Sequence, residues 1–336
     1  MKRFWLFALF SVFCLALAVG GFVAYAWYWV QRPVDMPGET VQYVVAPGSG
    51  LRSIAKSIND AGIQVNPEGL VVLARYTGLD KQIKAGTYEA RQGDTPRQLL
   101  ERMARGEVVQ QRLTLVEGWT YRRVRQALAE SPYVKQTLQG VSDQELLKRL
   151  GADQFPSPEG LFMPDTYVFA PGTSDFEVLR QAYRAKMAVL EEAWAKRSPD
   201  LPLQTPYEAL ILASIVEKET GLGGDRARVA GVFVNRLRRG MMLQTDPTVI
   251  YGMGDKYDGR IRKRDLQTDT PWNTYTRGGL PPTPIANVGR AALEAALHPE
   301  DHKYIYFVSR GDGSSQFSQT LNEHNQAVAK YILGKK

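Results

Sequence analysis

Thr205-Pro206-Tyr207-Glu208-Ala209-Leu210-Ile211-Leu212-Ala213-Ser214-Ile215-Val216-Glu217-Lys218-Glu219-Thr220-Gly221 reads as one helix with both ends marked. Thr205 and Glu208 have the spacing of a capping box, Pro206 takes the first helical position, and Gly221 supplies the stop. Glu217 and Glu219 then fall in the last turn, at the negative end of the macrodipole, where each costs about 0.3–1 kcal/mol. A carboxyl held there behind Leu210, Ala213 and Ser214 has its pKa raised, as a general acid near neutral pH requires. Glu217 lies on that face. Glu219 follows Ile211 and Ile215, about 200° round the helix, so the two cannot share one cleft. On these grounds alone a second reading stays open, in which both glutamates are solvated and pair with Lys218 or a nearby arginine.

Around this helix, periodicity predicts others at residues 176–196, 226–239 after an Asp225 N-cap, 288–297, and from Leu321 onward. Residues 241–283 show almost no sustained period, and loops of that length inside a domain are usually functional. The polar stretches are Asn235-Arg236, the run from Gln244 to Gly252, Asn273-Thr274-Tyr275, Gly279-Leu280-Pro281-Pro282 and Glu323-His324-Asn325. Their amides, hydroxyls and rigid prolines suit sugar hydroxyls and sugar rings, so a polar polymer is the expected ligand. The candidate substrate-binding residues are Ser214, Asn235, Gln244, Thr245, Asp246, Tyr251, Asn273, Tyr275, His324 and Asn325. Asp246 either stabilises an oxocarbenium-like transition state or caps the turn at Pro247.

Upstream, three segments align, beginning at Gly48, Gly93 and Gly118. In each a strand-like stretch (residues 41–45, 87–90 and 112–116) meets a Gly turn that opens a helix. The first two form a pattern like a LysM module, a glycan-binding fold, although helices that only pack on strands would give the same pattern. Residues 4–30 carry no charge and exceed what a hydrocarbon core needs, with Lys2 and Arg3 before them and Trp27, Tyr28 and Trp29 at the far end. That predicts a retained single-pass helix with the N-terminus cytoplasmic. A cleaved signal peptide competes, because Ala16-Leu17-Ala18 and Ala24-Tyr25-Ala26 offer small residues at the required spacing. The expected class is α+β: cytoplasmic tip and transmembrane helix (1–31), linker (32–40), small LysM-like α+β module (41–110), connecting strand–helix region (111–158) and a larger mixed α+β catalytic domain (159–336).

Composition narrows the function. The 336 residues carry a net charge of +7, with no basic block and no zinc-finger or RNP pattern, so an anionic surface or polymer is favoured and nucleic acid is not. Cys14, the only cysteine, lies inside the apolar segment, which excludes disulfides and Cys-ligated zinc. His298 and His302 are spaced i, i+4, but Pro299 interrupts them and no His-Glu-x-x-His exists; no metal and no other cofactor is expected. Arg236, Arg238 and Arg239 read as dipole complementation on a solvated face. Neither a P-loop nor Gly-x-Ser-x-Gly occurs.

Ala213-Ser214-Ile215-Val216-Glu217-Lys218-Glu219, the Gln244–Gly252 run, Asn273-Thr274-Tyr275, Gly279-Leu280-Pro281-Pro282 and Glu323-His324-Asn325 occur in that order behind one N-terminal apolar helix. Together they resemble the endolytic murein transglycosylase MltG (YceG-like) family over essentially the whole chain. Thr283 stands where that family usually has Gly, and Val288 where Pro is common. The resemblance implies an inner-membrane, single-pass lytic transglycosylase with its C-terminal domains in the periplasm. It also implies that Glu217 is the catalytic acid, that the bond from N-acetylmuramic acid to N-acetylglucosamine is cut to leave 1,6-anhydro ends, and that the enzyme trims or terminates nascent peptidoglycan strands. Penicillin-binding proteins or other peptidoglycan synthases are the implied partners. A non-catalytic peptidoglycan-binding scaffold and a muramidase-type hydrolase are the alternatives.

Overall fold

The computed structural model describes residues 2–219 and 223–334. The side chains of Lys2, Arg3 and Phe4, and the helix stop read at Gly221, lie outside the described residues. The chain divides into two compact units, Met1–Gln111 and Arg112–Lys336.

The first unit begins with α1 (Lys2–Gln31). Its stretch Leu9–Gln31 has a mean hydropathy of 2.2, and it is long and apolar enough to cross a membrane. Beyond it, β1 (Thr40–Val45) and β2 (Gly86–Arg91) pair antiparallel, with Thr40 opposite Arg91 and Val45 opposite Gly86. Two helices separate them, α2 (Leu51–Asp60) and α3 (Pro67–Tyr76), and α4 (Pro96–Arg105) follows. Alternation along the strands sends Tyr43 and Tyr88 inward, where they stack with centroids 5.9 Å apart over Ile58, Leu70, Leu99 and Met103. Thr95 and Gln98 complete a capping box at the start of α4. The sequence repeat foresees α2 and α4 but not α3, whose Asn66 cap and first-turn Pro67 are a legible start signal.

The boundary falls within β3 (Gln111–Thr114), which pairs with β4 (Thr166–Phe169) of the second unit. Between them lie α5 (Tyr121–Glu130) and α6 (Asp143–Leu150). Leu115, Val124, Leu128, Leu146 and Ala152 share one core with Phe162, Leu179, Leu210, Phe233 and Leu293, so residues 112–158 are part of this unit rather than a connector. Then come α7 (Asp175–Ala195), α8 (Pro206–Glu219) and α9 (Arg226–Arg238). The stretch 241–283 is not featureless: α10 (Asp246–Met253) and α11 (Lys263–Gln267) are too short to register as periodicity. The unit closes with α12 (Arg290–Leu297), the antiparallel pair β5 (Tyr306–Ser309) and β6 (Ser315–Ser318), and α13 (Leu321–Tyr331).

α8 is the centre of this unit. Every residue from Ala209 to Val216 is buried, and α7, α9, α10 and α12 all pack on it. At its start Thr205 Oγ accepts from the Glu208 amide at 3.2 Å, while Glu208 reaches back to the Gln204 amide at 2.5 Å. Asp225 does not cap α9. Its backbone is already helical, and its carboxylate instead accepts from the Ser315 amide at 2.9 Å.

Candidate active site

Glu217 stands at the end of α8 with its side chain only 6% exposed. Its Oε2 accepts from the Gly289 amide at 3.1 Å, and Oε1 lies 3.8 Å from Arg226 Nη2. Gly289 is the N-cap of α12, so the carboxyl also sits at the positive end of that helix. Burial pushes the Glu217 carboxyl up; the Gly289 N–H, Arg226 and Lys186 oppose this, and Glu117 adds to it.

Two chain crossings build that pocket. Gly118, at φ 78°, donates its N–H to Asn287 O at 2.9 Å, and the Asn287 amide donates to Trp119 O at 2.8 Å. Asn287 Oδ1 also accepts from the Phe162 amide at 3.0 Å. This lacing sets Glu117 directly over Gly289, where a Cβ would run into the Glu117 carboxylate. From the far side Lys186 of α7, fully buried, donates from Nζ to Val288 O.

Glu219 engages different partners. Its Oε1 accepts from Thr245 Oγ1, and burial pushes this carboxyl up as well. Thr245 is 2% exposed, and its amide donates to Thr274 Oγ1 at 3.1 Å. The neighbouring Asp246 is exposed and accepts from Tyr275 OH at 2.6 Å. Gln244, held at φ 49°, is exposed beside them. Glu219, Gln244, Thr245, Asp246 and Tyr275 thus form one polar cluster where the loop before α10 meets the turn at 273–275.

Several sequence candidates are committed to the scaffold. Ser214 is fully buried; its hydroxyl donates to Ile211 O at 2.7 Å and accepts from the Ile285 amide at 3.0 Å. Asn273, also fully buried, donates to Leu266 O at 3.1 Å and Thr268 O at 2.7 Å. Asn235 donates to His302 O at 2.7 Å and Tyr304 O at 3.0 Å. Ser214 and Asn273, whose Oδ1 also accepts from the Tyr275 amide at 2.8 Å, are thus buried and taken up by the scaffold, which corrects their reading as substrate-binding residues, while at Asn235 the amide donors are committed to the backbone. Tyr251 OH is taken by Glu159 at 3.1 Å. His324 stacks on Tyr306 with centroids 5.1 Å apart, and its buried Nδ1 has no partner among the described residues. Asn325 is exposed.

Arg236 corrects another expectation. It is 7% exposed, donating from Nε to Ile305 O at 2.7 Å and from Nη1 to Leu243 O at 2.8 Å, so it ties the residue before β5 to the loop before Gln244 rather than facing solvent. His302 is structural as well, with Nε2 against Arg228 O at 2.9 Å and Nδ1 accepting from the Tyr304 amide at 3.1 Å. Thr283, where the resembled family usually has Gly, accepts from Trp272 Nε1 at 2.9 Å and donates to Pro284 O at 2.8 Å.

Sequence reasoning missed Glu117, Glu159, Lys186, Arg226 and Gly289. Only Lys186 leaves a signal: it occupies the core-facing register of α7 with Leu179, Ala182, Leu190 and Ala193, where a cation is out of place. Glu159 is 3% exposed, and burial lifts its carboxyl to about 7.

The sequence profile of the YceG-like family matches residues 43–330. An endolytic murein transglycosylase of Bacillus subtilis is 32% identical over 95% of this chain and 92% of its own length. Another, from Streptococcus pneumoniae, is 26% identical over 97% of this chain, which spans 65% of that longer protein. The crystal structure of a YceG-like protein from Listeria monocytogenes superposes with a TM-score of 0.56 and 29% identity, covering 86% of this chain and 98% of that one.

Proposed function

Because the chain belongs to the YceG-like family, we propose that it is a lytic transglycosylase of peptidoglycan in which Glu217 alone is general acid and then general base. The observation that carries this reading is the asymmetry of the Glu217 carboxyl. Gly289 N–H engages Oε2, which must stay an acceptor, so a proton on the acid form sits on Oε1. Burial favours that proton, holding the carboxyl above the ordinary carboxylate range, the direction a general acid needs.

The step balances without water. Glu217 Oε1–H protonates the glycosidic oxygen as the bond from C1 of N-acetylmuramic acid breaks, leaving an oxocarbenium-like ring and a neutral N-acetylglucosamine hydroxyl. The carboxylate then accepts the proton of the muramic C6 hydroxyl as that oxygen bonds to C1. The product is a 1,6-anhydro end, and Glu217 is protonated again. Arg226 near Oε1 and the Gly289 N–H stabilise the intervening carboxylate. The cluster of exposed Gln244 and Asp246 with half-buried Tyr275 is the proposed place for sugar contacts.

The same proposal takes residues 41–110 as a LysM-like glycan-holding module and α1 as an inner-membrane anchor that keeps the enzyme beside peptidoglycan synthases such as penicillin-binding proteins. The β–α–α–β order and the apolar stretch Leu9–Gln31 support these two assignments.

Mass spectrometry of murein digested by the purified protein tests the reaction. Anhydro-ended fragments are expected. Ends heavier by one water would make the enzyme a hydrolase, and binding without cleavage would make it a scaffold.

A further inference from the structure

Lys186 is fully buried on α7, and its Nζ donates to a backbone carbonyl, Val288 O, rather than to a carboxylate. The N–H of the same peptide bond, on Gly289, donates to Glu217 Oε2 at 3.1 Å. One planar peptide therefore joins the lysine to the carboxyl. A cation at the carbonyl oxygen deepens amide resonance and makes the opposite N–H a stronger donor. We propose that Lys186 is a positioning residue of the reaction, which aims the Val288–Gly289 peptide at Glu217 and sets that carboxyl's proton affinity through it. This rests on the reading of Glu217 as the acid.

The surroundings leave few other groups for that role. Glu217 faces Glu117 from the segment before α5, Arg226 from α9 and Lys186 from α7. On its own helix, Lys218 turns to Gly118 O at 3.4 Å and Glu219 turns to Thr245. On α12, Arg290 lies 3.6 Å from Glu192 and Glu294 lies 3.7 Å from His298. Lys186 itself faces Glu217 and Glu117, and burial brings its ammonium down to about 7, so its charge changes near neutral pH.

Removing the cation has a signed consequence. The acid form of Glu217 is required, so cleavage falls as pH rises through its pKa. Loss of a nearby positive charge raises that pKa. In full-length Lys186→Met the alkaline limb of kcat/KM should move to higher pH while kcat falls roughly 10- to 100-fold with KM close to the parent, because the carboxylate formed on proton donation is less stabilised and less well aimed. A folded variant with the parent's profile, or one lowered evenly without movement of the limb, would overturn the proposal.

A measurement that needs no stable Lys186→Met guards against misfolding. Val-Gly occurs at 19–20 and 288–289 and nowhere else. Full-length protein in micelles, carrying ¹³C at valine carbonyls and ¹⁵N at glycine, therefore shows just these two peptides in a carbonyl–amide correlation spectrum. In Glu217→Gln, where the carboxyl no longer titrates, the 288–289 signal should still move as Lys186 loses its proton. It should stand still in Glu217→Gln/Lys186→Gln. A signal that is flat in Glu217→Gln sinks the coupling. Full activity of Glu217→Gln would instead sink the assignment of the acid, and the coupling through the peptide would survive it.

Discussion

Two buried carboxyls in the second unit, Glu159 and Glu217, share their first physical property and differ in their second. Burial raises both. At Glu159 both oxygens are used: Oε1 accepts from the Tyr121 amide at 2.9 Å and Oε2 from Tyr251 OH at 3.1 Å. At Glu217, among the described residues, only Oε2 has a short bond, and Arg226 stands 3.8 Å from Oε1. A perturbed pKa alone thus does not single out the acid we propose. The oxygen left without a short bond is what supports Glu217 over Glu159.

The sharpest break of this comparison is the pair Glu217→Gln and Glu159→Gln. The first should lower the rate of murein cleavage by roughly 10²–10⁴-fold while leaving the melting temperature near the parent's. The second should keep most of the activity per folded molecule. Assays of both purified proteins decide it; equal losses would mean that both carboxyls act in the reaction.

Stability against pH separates the two sites next. The Glu159 carboxyl is raised from an ordinary 4.5 to about 7, so the folded state binds its proton more tightly than the unfolded chain does. The stability linked to this is fully present below pH about 4.5 and is lost as pH rises through about 7, a slope worth on the order of 3 kcal/mol. Urea unfolding across that window should show the slope in the parent and lack it in Glu159→Gln.

The sequence made one of these carboxyls legible and hid the other for a physical reason. Glu217 sits at a fixed place on a helix whose start is spelled out by Thr205, Pro206 and Glu208, so its face follows from spacing. The burial of Ala209 to Val216 follows from the same run of apolar residues. Glu159 finds its partners in Tyr121 and Tyr251, 38 and 92 residues away, and no local pattern encodes such a meeting. The polar loops show the converse error. Asn235, Asn273 and Ser214 have the composition of a sugar site, yet each bonds backbone groups that irregular segments leave unpaired. In loops without periodicity, an amide that holds the loop and one that holds a ligand look alike in sequence.

Glu219 sharpens the comparison along the helix. It is buried and bonded to Thr245, but the pocket of Gly289 and Arg226 belongs to Glu217. Glu219→Gln should therefore cost less than roughly tenfold in kcat, well short of the loss at Glu217. Because burial disfavours its charged form, the neutral glutamine should leave the protein at least as stable as the parent at neutral pH. A loss matching that of Glu217→Gln in the same assay would make the pair act together and would revive a two-carboxyl hydrolase.

The smallest effect is expected at Tyr275, and its size follows from exposure. Tyr275 OH donates at 2.6 Å to Asp246 Oδ1, a charge-assisted bond, but Asp246 is open to water that can replace the donor when it is removed. Tyr275→Phe should therefore lower stability by about 1 kcal/mol or less, seen as a small shift in the urea midpoint with an unchanged slope. Its kinetic effect separates the two roles left for Asp246. If the tyrosine only aims Asp246 at bound sugar, KM should rise a few-fold with kcat nearly constant, the mark of lost uniform binding. A fall in kcat at constant KM would instead place Asp246 in contact with the charge that develops at C1, and Asp246→Asn should then reproduce that fall.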